Sequence, residues 1–207
     1  MFITFEGGEG TGKSTQVKLL AERFSGQGKA VLTTREPGGT PEAEALRTLL
    51  VSGETARWTA DEELLLNFAA RGSHLRNVVI PALNDGKIVI CDRFIDSSFV
   101  YQCIAGGARR SLFTELTNTI ASKPVPNFTF ILDVDPELAM ARAALRNSKD
   151  SKQDRADRYE LKGAAFHNKV REGFIELAKH QTKRCHLVDA VGEPDDVASK
   201  IWTKLHG

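Results

Sequence analysis

At 207 residues, with 41% hydrophobic and 27% charged side chains, the chain has the size and composition of one globular domain, residues 1–207, with a sizeable core. Its formal net charge of +1 leaves no overall field to draw in nucleic acid or an anionic membrane, so neither partner is expected. Three scattered cysteines (Cys91, Cys103, Cys185) without a Cys-x-x-Cys pair, and five histidines without ligand spacing, argue against a disulfide framework or a zinc site. No apolar run nears the roughly 20 residues that cross a bilayer, and the start lacks the basic region of a secretory signal, so a soluble cytoplasmic protein is expected.

The first predicted element is a strand, Phe2–Glu6, apolar and ended by glycines. It runs into Gly7-Gly8-Glu9-Gly10-Thr11-Gly12-Lys13-Ser14, a match to G-x-x-x-x-G-K-[ST]. Glycines let successive backbone N–H groups turn inward around a phosphate, Lys13 can reach the β and γ phosphates, and the Ser14 hydroxyl can coordinate Mg²⁺. A helix over Lys13–Ser25 aims its positive end at the same anion. Glu9 is an acid facing polyphosphate, which calls for a compensating purpose; a solvated side chain is the plain alternative.

A second strand, Ala30–Thr34, leads to Arg35, and a helix follows over Pro41–Val51. The long segment Asp61–Asn84 has helical periodicity and is apolar on more than one face (Leu64, Leu65, Leu66, Phe68, Leu75, Val78, Val79, Ile80), more than one core contact explains, so pairing with a second copy is expected. The third strand, Lys87–Asp92, ends in an acid that can hold a Mg²⁺ water, or cap a helix, and is followed by Arg93. Arg35 and Arg93 each follow a strand and should project over the sheet edge near the phosphate loop; a surface ion pair is the alternative for both.

Next come helices over Ser97–Ile104 and Ser111–Ser122, a strand over Phe128–Val134 and a helix over Pro136–Arg146. On the first of these, Ser98 and Gln102 are four apart and share a face. The stretch Asn147–Arg158 is polar and without apolar anchors, and reads by itself as a solvated loop. A helix over Asp157–His180, a strand over Cys185–Asp189 and a helix over Asp195–Leu205 close the chain. Alternation of this kind predicts an α/β fold of right-handed βαβ units, with ligands beyond the carboxyl ends of a parallel sheet covered on both faces.

A phosphate loop alone does not name an acceptor. The remaining motifs, in order, resemble bacterial thymidylate kinase across nearly the whole chain: Thr34-Arg35-Glu36-Pro37-Gly38-Gly39-Thr40 with Glu44-Ala45-Leu46-Arg47; Phe68-Ala69-Ala70-Arg71 with His74; Asp92-Arg93; Asp96-Ser97-Ser98 with Tyr101-Gln102; Leu132-Asp133-Val134-Asp135-Pro136-Glu137; and Asp157-Arg158 with Phe166-His167-Asn168-Lys169-Val170-Arg171. The resemblance implies a P-loop kinase fold with a five-stranded parallel sheet, helices on both faces and a short lid at about 147–158, and an enzyme that phosphorylates dTMP with ATP and Mg²⁺.

It also implies a site. The nucleotide-binding set is Glu9, Gly10, Thr11, Gly12, Lys13, Ser14, Thr15 and Gln16, with Ser14 and Asp92 at the metal. The acceptor would be met by Glu9 at its 3′-hydroxyl, by Arg35 and Arg93 at its phosphate, by Phe68, Arg71, Ser97, Ser98 and Gln102 around the base, and by Tyr101 against the deoxyribose. The family places an arginine either in the phosphate loop or in the lid. This loop has none, so Arg155 and Arg158 join Lys13 and Arg93 as the catalytic set, with Arg142 and Arg146 on the helix before them and Arg155 as the residue that meets the transferring phosphoryl group. The resemblance further implies a homodimer.

Two departures stand out. Asn67 occupies the place four before Arg71 where the family usually has a base-stacking phenylalanine, so either Phe68 takes over the stacking or the base is held differently. The run Cys103-Ile104-Ala105-Gly106-Gly107-Ala108-Arg109-Arg110 replaces a glycine-rich turn and leaves the part of Arg109 and Arg110 open. The rival readings are a kinase for another nucleotide, such as dCMP or dUMP, and a P-loop regulator that hydrolyses or senses ATP.

Overall fold

The computed structural model describes residues 1–149 and 158–206, with the side chains of 146–149 outside the description. Five strands, β1 (Phe2–Glu6), β2 (Val31–Arg35), β3 (Ile88–Asp92), β4 (Phe128–Asp133) and β5 (Cys185–Asp189), form one sheet in the order β2-β3-β1-β4-β5. Every pairing is parallel, for example Ile3 beside Ile90 and Phe130 beside His186. Strand ends shift by at most a residue or two from the sequence expectation, which is ordinary fraying.

Both faces of the sheet are covered because alternate strand residues point to opposite sides. Ile3, Phe5, Ile90, Phe130 and Leu132 pack against α1 (Lys13–Gly26) and α9 (Pro194–His206) through Val17, Leu20, Phe24, Val197 and Ile201. Phe2, Val89 and Cys91 face the other way, onto Leu64, Phe68, Leu75 and Val79. Ile131 and Cys185 meet Val170 and Phe174 of α8 (Ala164–His180). The chain leaves β1 for one side of the sheet and later crosses to the other, so β1 marks the switch point where ligands of such sheets bind.

The helix expected over Asp61–Asn84 is α3 (Ala60–His74), a π turn (Leu75–Val79) and α4 (Ile80–Asn84) in direct succession. Thr59 and Glu62 form a reciprocal capping box that starts it, and Pro81, which has no N–H to donate, follows the π turn. The wider turn is repeated after α5 (Ile95–Ser98), where Phe99–Ala105 is also π-helical. Thr40 caps α2 (Pro41–Val51) by accepting from the Ala43 N–H at 3.1 Å. The remaining helices are α6 (Arg110–Ile120) and α7 (Pro136–Lys149).

One expectation is corrected. Residues 158–161 are turn, and α8 begins at Ala164 instead of Asp157. The reason is tertiary: the Arg158 amide donates to Val51 O at 2.8 Å and its Nε to Leu50 O at 2.9 Å, so this residue satisfies the open carbonyls at the end of α2 instead of opening a helix of its own. Of the eight apolar residues counted over Asp61–Asn84, Leu64, Phe68, Leu75 and Val79 are consumed by the chain's own core; Leu65 and Ile80 are the exposed ones, at 47% and 38%.

Candidate active site

The phosphate loop leaves β1 and enters α1 at Gly12, which sits at φ +93. Gly10 admits no side chain at all, because a Cβ there would overlap the Ala139 carbonyl of α7. Thr11 ties the loop by donating to Gly8 O at 3.0 Å. Lys13 is buried and donates from Nζ to Gly8 O at 2.6 Å and Gly7 O at 3.3 Å. Burial, helped by the nearby Arg93 charge, brings its pKa down to about 8. An anion seated in the loop would favour the charged form again. Ser14 donates to Asp92 Oδ2 at 2.7 Å, so the hydroxyl and carboxylate expected at a metal do meet. The whole run Glu9–Gln16 lines one open cleft, which Arg35, Asp92, Arg93 and Arg142 border. Within it Thr15 is exposed, and Gln16 is buried with its amide donating to Pro194 O at 2.9 Å.

Beside this cleft lies a second, half-open recess with about 80 Å³ of room. The cleft and the recess share Glu9, Glu36, Arg47, Val51 and Arg93. Arg93 stands between them with a left-handed backbone, φ +68, unusual for a residue with a Cβ. Neighbours impose the turn: the Arg93 amide donates to Phe5 O at 2.8 Å and the Phe94 amide to Glu6 Oε1 at 2.9 Å. From there the guanidinium donates to Gly7 O (2.9 Å), Ser97 Oγ (3.1 Å), Glu9 Oε1 (2.6 Å) and Tyr101 OH (3.2 Å). Burial works against its charge, but the carboxylates of Glu9 and Asp92 outweigh it and raise its pKa. Burial likewise pushes the Tyr101 phenol up, so that side chain is a neutral hydroxyl.

Deeper in the recess, Arg71 is 2% exposed. Its Nε donates to Glu36 Oε2 at 2.8 Å, and Nη2 to Phe94 O at 3.1 Å and Ser98 Oγ at 3.0 Å. Its Nη1 has no partner among the described residues. Ser97, Ser98, Tyr101 and Gln102 line the same recess. Phe68 does not: it is fully buried, packs edge-on against Phe113, and lies under the Arg71 guanidinium at 4.6 Å. Asn67 is the residue that lines the recess, and Phe68 as placed here does not reach it. Arg35 borders the open cleft only, held by Glu44 at 3.0 Å with both side chains about half exposed, whereas Arg47 lines both spaces and donates to Pro37 O at 3.0 Å.

The arginines expected in the lid separate. Arg155 lies outside the described residues. Arg158 is 1% exposed and pairs with Glu63 Oε1 at 2.7 Å, while donating to Thr55 O at 2.9 Å; it borders neither space. Arg109 is held by Asp61, and Arg110 lies over the Phe99 ring.

Four acids and a tyrosine that shape the site carried no role in the sequence reading. Glu6 is fully buried, accepts from the Ser97 hydroxyl, and its pKa is pushed up to about 7 by burial and by Asp96. Asp96 is clasped by Arg184 through both oxygens at 2.6 and 2.8 Å. Glu63 accepts from Gln102 at 3.1 Å and Tyr159 at 3.0 Å, which brings Tyr159 into the recess wall. Glu36 was visible only as part of a motif.

A switch that merely hydrolyses a nucleotide has no use for a second, half-closed pocket that opens onto its phosphate loop across a partly buried arginine. Fold and site together define a P-loop phosphotransferase with its own acceptor pocket. The family model described as thymidylate kinase matches residues 5–201. The thymidylate kinase of Caulobacter vibrioides is 45% identical over 200 residues, 97% of this chain and 93% of that protein; that of Jannaschia sp. is 44% identical over 203 residues, 98% and 94%. A crystal structure of thymidylate kinase from Ehrlichia chaffeensis superposes with a TM-score of 0.78 at 35% identity, covering 100% of this chain and 98% of the other. The chain belongs to the thymidylate kinase family.

Proposed function

We propose that the protein transfers the γ-phosphoryl group of ATP to dTMP, giving dTDP and ADP on the route to dTTP, within one domain spanning residues 1–207 and in the cytoplasm. The observation that carries this reading is Arg71 Nη1, a buried donor without a partner in a pocket beside the phosphate loop. An unsatisfied buried donor costs about 1–3 kcal/mol, and a pyrimidine 4-carbonyl would relieve it. The 4-amino group of cytosine would present a second donor instead.

The other roles follow from position. Arg93 and Arg47 at the junction, with Arg35 on the outer wall, are suited to hold the acceptor phosphate by fixed guanidinium forks. Glu9 accepts from the sugar 3′-hydroxyl, and Tyr101 closes on the deoxyribose. Lys13 and the loop amides hold ATP. The acceptor phosphate is already an anionic nucleophile, so the reaction calls for positioning and charge stabilisation and for no strong base. Ser14 and Asp92 fit Mg²⁺: they are hard oxygen donors already in contact, and the ion, when bound there, offsets charge on the β and γ phosphates.

A panel of nucleoside monophosphates tests the reading by coupled ADP release, with dTMP fastest, dUMP slower because a missing methyl is worth about 1–3 kcal/mol, and UMP very poor. With Arg158 sequestered, Arg155→Ala is expected to lower kcat by at least about 10²-fold with little change in either KM. Retention of near wild-type kcat would remove Arg155 from the catalytic set. We also propose a homodimer through the exposed face carrying Leu65 and Ile80; a monomer by light scattering at micromolar concentration would contradict it.

A further inference from the structure

We infer that Thr34, His74 and Glu36 form a buried relay that holds Arg71 in its base-reading pose, which makes Glu36 a positioning residue for nucleobase selectivity. The inference rests on the dTMP reading above and deepens it. Glu36, Arg71 and His74 are 3%, 2% and 0% exposed. Glu36 divides its carboxylate between the other two: Oε2 accepts from Arg71 Nε at 2.8 Å, and Oε1 lies 2.9 Å from His74 Nδ1. A carboxylate can only accept, so Nδ1 carries the proton. In the neutral ring Nε2 then accepts, and its neighbour is the Thr34 hydroxyl at 2.7 Å. Thr34 therefore donates to His74 and His74 to Glu36, while Arg71 donates to Glu36 from the other side, so the carboxylate is where the two sets of bonds meet.

The guanidinium is planar and rigid, so fixing Nε and Nη2 fixes where Nη1 points. Glu36 holds the first, while Phe94 O and Ser98 Oγ hold the second. The rings of Phe68 and Phe94, 4.6 and 5.3 Å from the guanidinium carbon, leave it little room to turn. One glycine of the same motif serves the same end. Gly39 has φ +86, and a Cβ there would come within 2.5 Å of His74 Cδ2 and 2.9 Å of Thr34 Oγ1, so the loop after β2 closes over the relay only because that side chain is absent. A buried ion pair adds little net stability, since desolvation offsets attraction. What this one supplies is a fixed donor in a pocket whose local charge is balanced, suited to an uncharged pyrimidine. Without Glu36 the guanidinium can withdraw, and a base presenting an amino group in place of a carbonyl meets less opposition.

The test compares kcat/KM for dTMP and dCMP in wild type, Glu36→Gln and Glu36→Ala, with the KM for ATP and thermal melting alongside. Glu36→Gln can still accept from Arg71 and reach His74, but it lacks the negative charge that pairs with the guanidinium and offers one acceptor oxygen in place of two. The dTMP-over-dCMP preference is expected to fall about 3-fold in Glu36→Gln and at least 10-fold in Glu36→Ala. The KM for dTMP should rise in the same order while the KM for ATP stays put. A merely structural role would depress melting and kcat for both substrates and leave the ratio alone. An unchanged preference in either folded variant overturns the inference. The proposed function is read separately: it fails if the wild-type protein itself prefers dCMP to dTMP.

Discussion

Arg93→Ala is expected to lower kcat/KM for dTMP by about 10³-fold, equal to about 4 kcal/mol of transition-state stabilisation. The side chain stands where the acceptor pocket meets the phosphate cleft and bonds to groups on both sides, Gly7 O and Glu9 toward the loop, Ser97 and Tyr101 toward the pocket. Its loss takes away a fork for the acceptor phosphate and also the cation that Glu9, 17% exposed, pairs with at 2.6 Å. The second effect distinguishes this residue from an ordinary binding arginine. Adding Glu9→Gln to Arg93→Ala should therefore restore part of the loss, where two independent contributions would lower activity further. Steady-state kinetics of the two single variants and the double variant decide the matter. Less than a tenfold fall for Arg93→Ala would exclude it from the reacting centre.

Arg158→Ala is expected to act on stability instead, by about 3 kcal/mol or more, with kcat of the folded fraction largely kept. Arg158 and Glu63 are both essentially buried and 2.7 Å apart, and removing one partner leaves a charge in a low-dielectric site. Lys162, 3.4 Å from the same Glu63 oxygen, softens the penalty without abolishing it. The carbonyls of Leu50 and Thr55 also lose their side-chain donor, while that of Val51 keeps the backbone N–H of residue 158. Denaturant midpoints read this directly. Wild-type stability combined with a kcat reduced by about 10²-fold would show that Arg158 leaves Glu63 to meet the phosphoryl group.

These two arginines mark how far the sequence could be read. The phosphate loop is a local device: eight consecutive residues specify it, and its place between a strand and a helix follows from neighbouring periodicity. The five strands are apolar runs bounded by glycine, proline or charge, and each was legible for that reason. Arg158 was not, because its partners Leu50, Val51, Thr55 and Glu63 lie about 100 residues earlier in the chain. Periodicity extended α8 back through it, and only packing pulled it away. The placement of Phe68 was not legible for a different reason. One residue along a helix turns the side chain by about 100°, so whether Asn67 or Phe68 faces the pocket depends on a register that the core sets. The buried acids Glu6, Glu36 and Glu63 were invisible as such, since acids are mostly surface residues and nothing local signals their burial. In Glu36 a signal did exist: it belongs to one of the motifs that carry the family resemblance, as Arg71 and His74 do, and the three meet in space.

The central claim, that the recess beside the phosphate loop receives thymidylate, is tested most directly by ADP release with saturating ATP and Mg²⁺ against dTMP, dUMP, UMP and dCMP. The expected order is dTMP first, dUMP behind it by about 10–200-fold or less as one methyl allows, and UMP and dCMP far behind, excluded by Tyr101 and by the Arg71 donor respectively. Equal turnover of UMP and dTMP, or preference for dCMP, would contradict the account.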